Sequence, residues 1–182
     1  MRPILVRSLP VQVIAALLFP AWPTISLAEP NRQFVLSSAD FQNGGSIPER
    51  FSCDGGNQSP ALAWTGIPDR TRSLALIVAD PDAPGGIFVH WVVYNLSATT
   101  SGLAEGVPAA SVDHAEQGVN GRGELGYAGP CPPPGKPHHY HFRLYALDQK
   151  LHLNPGATAA QVEQESKAHI VGSAELVGIF QR

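Results

Sequence analysis

The chain has 182 residues, a length that fits one domain able to bury a real core. Its 43% hydrophobic and 15% charged content argues against intrinsic disorder, while 18 glycines and 17 prolines point to many loops around that core. A formal charge of −3 with no basic stripe excludes the electrostatic footprint of a nucleic-acid binder.

Residues 1–28 read as a secretory signal peptide. Arg2 and Arg7 form a positive n-region, Leu9 to Phe19 is mainly apolar, and Ser26-Leu27-Ala28 puts small residues at −3 and −1 of a cleavage site before Glu29. An uncleaved anchor is the alternative, but Pro10, Gln12, Pro20 and Pro23 interrupt the roughly 20 apolar residues a spanning helix needs. Cleavage leaves one domain over 29–182, periplasmic or secreted and not an integral membrane protein. It is also more acidic, because the only charges removed are the two arginines. Cys53 and Cys131 then sit where disulfides persist, and both a bonded pair and two buried thiols stay open. Neither lies in a CxxC-type ligand spacing.

Segments Ser73 to Ala79 (SLALIVA) and Phe88 to Tyr94 (FVHWVVY) are short apolar runs rich in β-branched and aromatic residues, which predicts strands buried on both faces. His139 to Leu147 gives a third strand and Glu175 to Phe180 a closing one. Asn43-Gly44-Gly45, Asp54-Gly55-Gly56-Asn57, Pro81 to Gly86 and Gly129 to Pro137 form the turns between them. After the breaker Asn154-Pro155-Gly156, Thr158 can cap a helix reciprocally with Gln161, and the helix is predicted to run to about Ala168. The expected fold is therefore all-β dominated, an antiparallel β-sandwich with one or two short helices, including this one near the C-terminus.

Several motifs point nowhere. Gly121-Arg122-Gly123-Glu124-Leu125-Gly126 matches GxGxxG, but polar residues precede it and Gly129-Pro130 follows too soon for the helix a pyrophosphate needs. No GxSxG nucleophile elbow occurs. In a strand, His139 and His141 share a face while His138 points the other way, so the three do not form one metal site, and no metal or cofactor is expected. Trp91 reads as core. Asn57-Gln58-Ser59 and Asn95-Leu96-Ser97 match the glycosylation pattern, the first followed by Pro60.

Two long segments are informative: Asp80-Pro81-Asp82-Ala83-Pro84 with His90-Trp91-Val92-Val93-Tyr94-Asn95, and Gly126-Tyr127-Ala128-Gly129-Pro130-Cys131-Pro132-Pro133-Pro134-Gly135 with His138-His139-Tyr140-His141-Phe142. They resemble the two signature regions of the phosphatidylethanolamine-binding proteins. Cys53-Asp54-Gly55-Gly56-Asn57-Gln58-Ser59-Pro60 and Leu62-Ala63-Trp64 resemble the bacterial Raf-kinase-inhibitor-like branch. The resemblance runs from Phe34 to Phe180. It implies a β-sandwich with a small pocket, built from Asp80, His90, the loop containing Gly129, Pro132 and Pro133, His138 and Tyr140, that binds phosphate-like or acetate-like anions, including phospholipid head groups. Asp54, Asp82 and Tyr127 stand behind these as supporting residues. The residue types suit the task, since imidazoles and a tyrosine hydroxyl donate and a Gly-containing loop can bring backbone N–H groups to an anion. A carboxylate at Asp80 is expected to fix the tautomer of His90 and favour its protonated form.

Three functions follow. The favoured one is a non-enzymatic module that binds a small anionic or phosphorylated ligand, with a possible protein partner that it regulates. The second is a hydrolase of small esters or phosphoesters using His90 and Asp80. The third is an envelope interaction protein with a vestigial pocket. The loop after Pro84 is short, Gly85-Gly86-Ile87-Phe88-Val89, where the eukaryotic kinase inhibitors carry a longer charged insertion, so kinase inhibition is not carried over by resemblance.

Overall fold

Alternating burial along the strands builds two sheets with a shared core. The computed structural model describes residues 33–182 apart from 111 and 113, so the predicted signal peptide lies outside the described residues. The smaller sheet holds β1 (Val35–Ser37), β3 (Leu62–Thr65) and β6 (Gly102–Leu103) in the order β1-β3-β6. The larger holds β2 (Gly45–Ser46), β4 (Ser73–Asp80), β5 (Phe88–Ser97), β7 (Glu116–Gln117), β8 (His138–Leu147) and β9 (Ile170–Phe180) in the order β2-β9-β8-β4-β5-β7. Pairing is antiparallel throughout except β2 beside β9, which run parallel. Among the described residues, no helix is long and apolar enough to cross a membrane.

Strand β4 shows why the chain folds this way. Leu74, Leu76 and Val78 point into the core between the sheets, with Trp64 of β3, Trp91 and Val93 of β5, and Phe142 and Leu144 of β8. The intervening Ala75 and Ile77 face the other side, where they pack with Val92, Tyr94 and Val162. Val162 belongs to α1 (Ala159–Ser166), so the large sheet is covered on both faces. Period-2 alternation with both faces apolar produces the continuous hydrophobic run seen in the sequence. Strand β8 differs from that expectation for β4 and β5, because it alternates buried and exposed residues and presents one face outward.

The helix begins as expected. Thr158 Oγ1 accepts from the Gln161 N–H, and the Gln161 side chain accepts from the Thr158 N–H. It ends at Ser166 rather than near Ala168, because the chain tightens there, with the His169 N–H donating to the Ser166 carbonyl. Cys53 and Cys131 form a disulfide.

Two β-bulges interrupt the pairing of β4 with β5. At the first, Leu74 faces Leu96 and Leu76 faces Val93, leaving Tyr94 and Asn95 opposite Ala75. Asn95 takes φ +60°, and both ends of its amide bond the Leu151 backbone, at 3.0 and 2.8 Å. This commits the Asn95 side chain internally. At the second bulge, Val78 faces Trp91 and Ala79 faces Val89, so His90 is the extra residue.

Candidate functional site

The end of β4 and the beginnings of β5 and β8 meet at one end of the large sheet. Asp80 continues the Leu74, Leu76, Val78 face, and His138 continues the Tyr140, Phe142, Leu144 face. Strict alternation would send His90 to the opposite face, with Val92 and Tyr94. The bulge re-aims it, and its ring meets the Tyr140 ring edge-on at 5.0 Å. His90 is also hooked twice to Ala128: its Nδ1–H donates to the Ala128 carbonyl at 2.6 Å, and the Ala128 N–H donates to the His90 carbonyl at 2.8 Å.

Asp80, His90, Gly129, Pro132, Pro133 and His138 line one cavity of about 450 Å³. Tyr140 is buried beside it, and its hydroxyl has no hydrogen-bond partner among the described residues. Burial, then the charges of Asp80 and Asp82, push the Tyr140 pKa up, so it stays a neutral donor. The three predicted supporting residues lie off the cavity wall. Asp54 accepts from Arg182 Nη2 at 2.9 Å and pairs with its Nε at 2.7 Å. The Tyr127 hydroxyl donates to the Phe51 carbonyl and its ring stands against Trp91. Asp82 accepts from both the backbone and the ring of His139, and these bonds hold its pKa below the usual carboxylate range.

Two expectations are corrected. Asp80 does not orient His90: its Oδ2 accepts from the His138 Nδ1–H at 2.7 Å, and its Oδ1 accepts from the Asp82 N–H at 2.8 Å. His90 is oriented by a carbonyl instead, and its pKa is lowered, first by burial, against the opposing pull of the Ala128 bond and Asp80. It is therefore held neutral rather than protonated. The loop over 129–133 is also a poor amide cradle. Pro130, Pro132 and Pro133 carry no N–H, and the Gly129 N–H is taken by Asn57 Oδ1 at 2.7 Å. Gly129 serves close approach, since a Cβ there would lie 2.4 Å from the Phe51 carbonyl oxygen.

The sequence reading left out the stretch from Ala83 to Phe88, Arg122 and Cys131 as cavity residues, and of these Arg122 and Phe88 bear most on the site. Arg122 sits in the Gly121 to Gly126 run set aside above as a false dinucleotide motif. Gly121 donates its N–H to the Val89 carbonyl and packs so tightly on Phe88 that a Cβ would come within 2.7 Å of the ring. That contact carries Arg122 to the cavity mouth, where it is the only Lys or Arg in the wall among the described residues. No local signal marked it, because Gly121-Arg122 lies far in sequence from every predicted strand and only the fold brings it to Phe88. His138, His139 and His141 turn to three different acids, Asp80, Asp82 and Glu175.

In comparisons, residues 37–181 match the family model described as phosphatidylethanolamine-binding protein. A UPF0098 protein of Methanothermobacter thermautotrophicus is 48% identical over 149 residues, covering 81% of this chain and 98% of that one. LppC of Mycobacterium tuberculosis, named as a lipoprotein, is 40% identical over 176 residues, covering 96% and 84%. Among solved structures, a phosphatidylethanolamine-binding protein homologue from Chlamydia trachomatis is 41% identical with a TM-score of 0.77, covering 83% of this chain and 99% of that one. YbcL of Escherichia coli is 34% identical at the same TM-score, covering 82% and 98%. With a family match over most of its length and relatives this similar, the chain belongs to the phosphatidylethanolamine-binding protein family.

Proposed function

We propose that this protein is an exported, non-enzymatic binding module whose cavity takes a small phosphate-like or carboxylate anion. The observation that carries this reading is the pairing of His90 and His138 in one cavity wall. Each has its Nδ1 committed to an internal acceptor, Ala128 or Asp80, which leaves Nε2 of both rings for a ligand beside the Arg122 guanidinium. Export rests on the signal-like N-terminus, the Cys53–Cys131 disulfide and the lipoprotein name of the similar mycobacterial protein. A regulated protein partner and kinase inhibition have no observation behind them here.

A hydrolase is the second reading, and Asp80–His138 favours it as a base held by a carboxylate. Against it, no Ser or Thr among the described residues lines the cavity, and Cys131 in its wall is disulfide-bonded. Calorimetric titration of the mature protein with phosphate, O-phosphoserine, phosphoethanolamine and acetate, beside a His138→Ala variant and a phosphoesterase assay, tests both. Saturable binding lost in the variant, without turnover, supports the binding module. Turnover lost in the variant replaces it with the hydrolase.

A further inference from the structure

We infer that the cavity selects phosphomonoesters in their monoprotonated form, because the ligand must donate a hydrogen bond to His90 Nε2. This deepens the anion-binding reading and rests on it.

The argument is a count of donors and acceptors. The His90 Nδ1–H is spent on the Ala128 carbonyl, and a carbonyl can only accept, so this nitrogen carries the ring's proton. Nε2 is left as a lone pair with no partner among the described residues. Asp80 is an acceptor whose two oxygens each already hold one bond, from His138 and from the Asp82 N–H. His90 therefore presents a lone pair to the cavity, next to the Asp80 carboxylate and the His138 ring, whose Nε2 also has no partner among the described residues. An oxygen that is bare and anionic meets repulsion at His90, whereas a P–OH meets an acceptor.

The groups facing His90 keep it in that state. Asp80 on β4 favours a proton on the ring; Arg122 at the mouth and His138 on β8 oppose one. Tyr140 on β8 and Phe88 on β5 pack their rings against it and help to desolvate it. Burial is the largest influence and favours the neutral ring. Arg122 then neutralises the charge that the ligand keeps, and Phe88, Pro132 and Pro133 supply an apolar wall for its ester group.

This singles out a ligand class. Phosphomonoesters have a second pKa of about 6 and so carry a proton part of the time near neutrality. Sulfate monoesters and simple phosphodiesters carry the same single charge with no proton.

The test is calorimetry of the wild-type mature protein with phenyl phosphate, phenyl sulfate and methyl phenyl phosphate between pH 8 and pH 6. Phenyl sulfate keeps one charge across this range and reports the protein's own pH dependence, so the ratio of affinities isolates the ligand's proton. The expected result is that phenyl phosphate binds about 50-fold more tightly at pH 6 than at pH 8 relative to phenyl sulfate, following the rise of its monoanion fraction. At pH 6 the two proton-free ligands bind at least about tenfold more weakly, as loss of one good hydrogen bond implies. Equal affinity for phenyl phosphate and phenyl sulfate at pH 6, or a ratio that does not move with pH, overturns the inference while leaving the anion pocket standing. Silence from all three ligands removes the pocket as well.

Discussion

Asp80 Oδ2 lies 2.7 Å from His138 Nδ1, and both residues are buried in the wall of the cavity. A buried pair of this kind is costly to break from one side, because the partner is left without a bond. Asp80→Ala is expected to lower stability by about 3 kcal/mol, since it strands the His138 Nδ1–H and the Asp82 N–H together. Asp80→Asn keeps an acceptor and should lose only about 1 kcal/mol. Urea unfolding of the two variants checks the order; equal losses would mean the pair carries no special weight.

His90 makes stability depend on pH. Its folded pKa is depressed, chiefly by burial, while the unfolded chain titrates near 6.5. Between those two values the unfolded state binds more protons, so this contribution is fully present above about pH 6.5 and is lost as pH falls through the window. Thermal melts at pH 7.5 and pH 5 should show a smaller drop for His90→Gln than for the wild type. Parallel drops would place the acid sensitivity elsewhere.

The disulfide closes a loop spanning 78 residues and fixes Cys131, a cavity residue, to the 53–57 segment. Chain entropy gives it about 4 kcal/mol of stabilisation. The double variant Cys53→Ser, Cys131→Ser is expected to melt at a markedly lower temperature and to bind anions more weakly, because the Pro130 to Pro133 wall then loses its covalent tie and is held by hydrogen bonds such as those from the backbone N–H groups of residue 53 and Gly129. Unchanged affinity in the folded variant would show that those bonds suffice.

Arg122 is exposed and carries no ion pair among the described residues, so its removal should leave stability within about 0.5 kcal/mol. Arg122→Gln is expected to weaken anion binding about tenfold at low salt and to flatten its dependence on ionic strength. Titrations at low and high salt read both effects, and an unaltered salt slope would exclude Arg122 from the site.

Much of the fold was legible before any coordinates. The runs beginning at Ser73 and Phe88 are too apolar and too short for anything but buried strands, and the Thr158–Gln161 reciprocity marks a helix start by local chemistry. The smaller sheet was not legible. Strands β1 and β6 have three residues and two, and they exist because Leu36, Leu62, Trp64 and Leu103 find the face of the large sheet, not because of a local pattern. The ends of β5 and β9 were read short for the same reason, since pairing with neighbours extends a strand past its apolar run.

At the site, sequence alone determined which residue types were present and in what order, because strand periodicity, turn chemistry and the two signature segments are written locally. Only the tertiary structure decided their roles. A bulge of one residue turned His90 toward Tyr140, a carbonyl 38 positions away fixed its tautomer, and Asp80 went to His138 instead. Arg122 joined the wall through the bare flank of Gly121 against Phe88. These are long-range contacts set by register and close approach, and a hydrogen bond has only as many partners as geometry brings within reach.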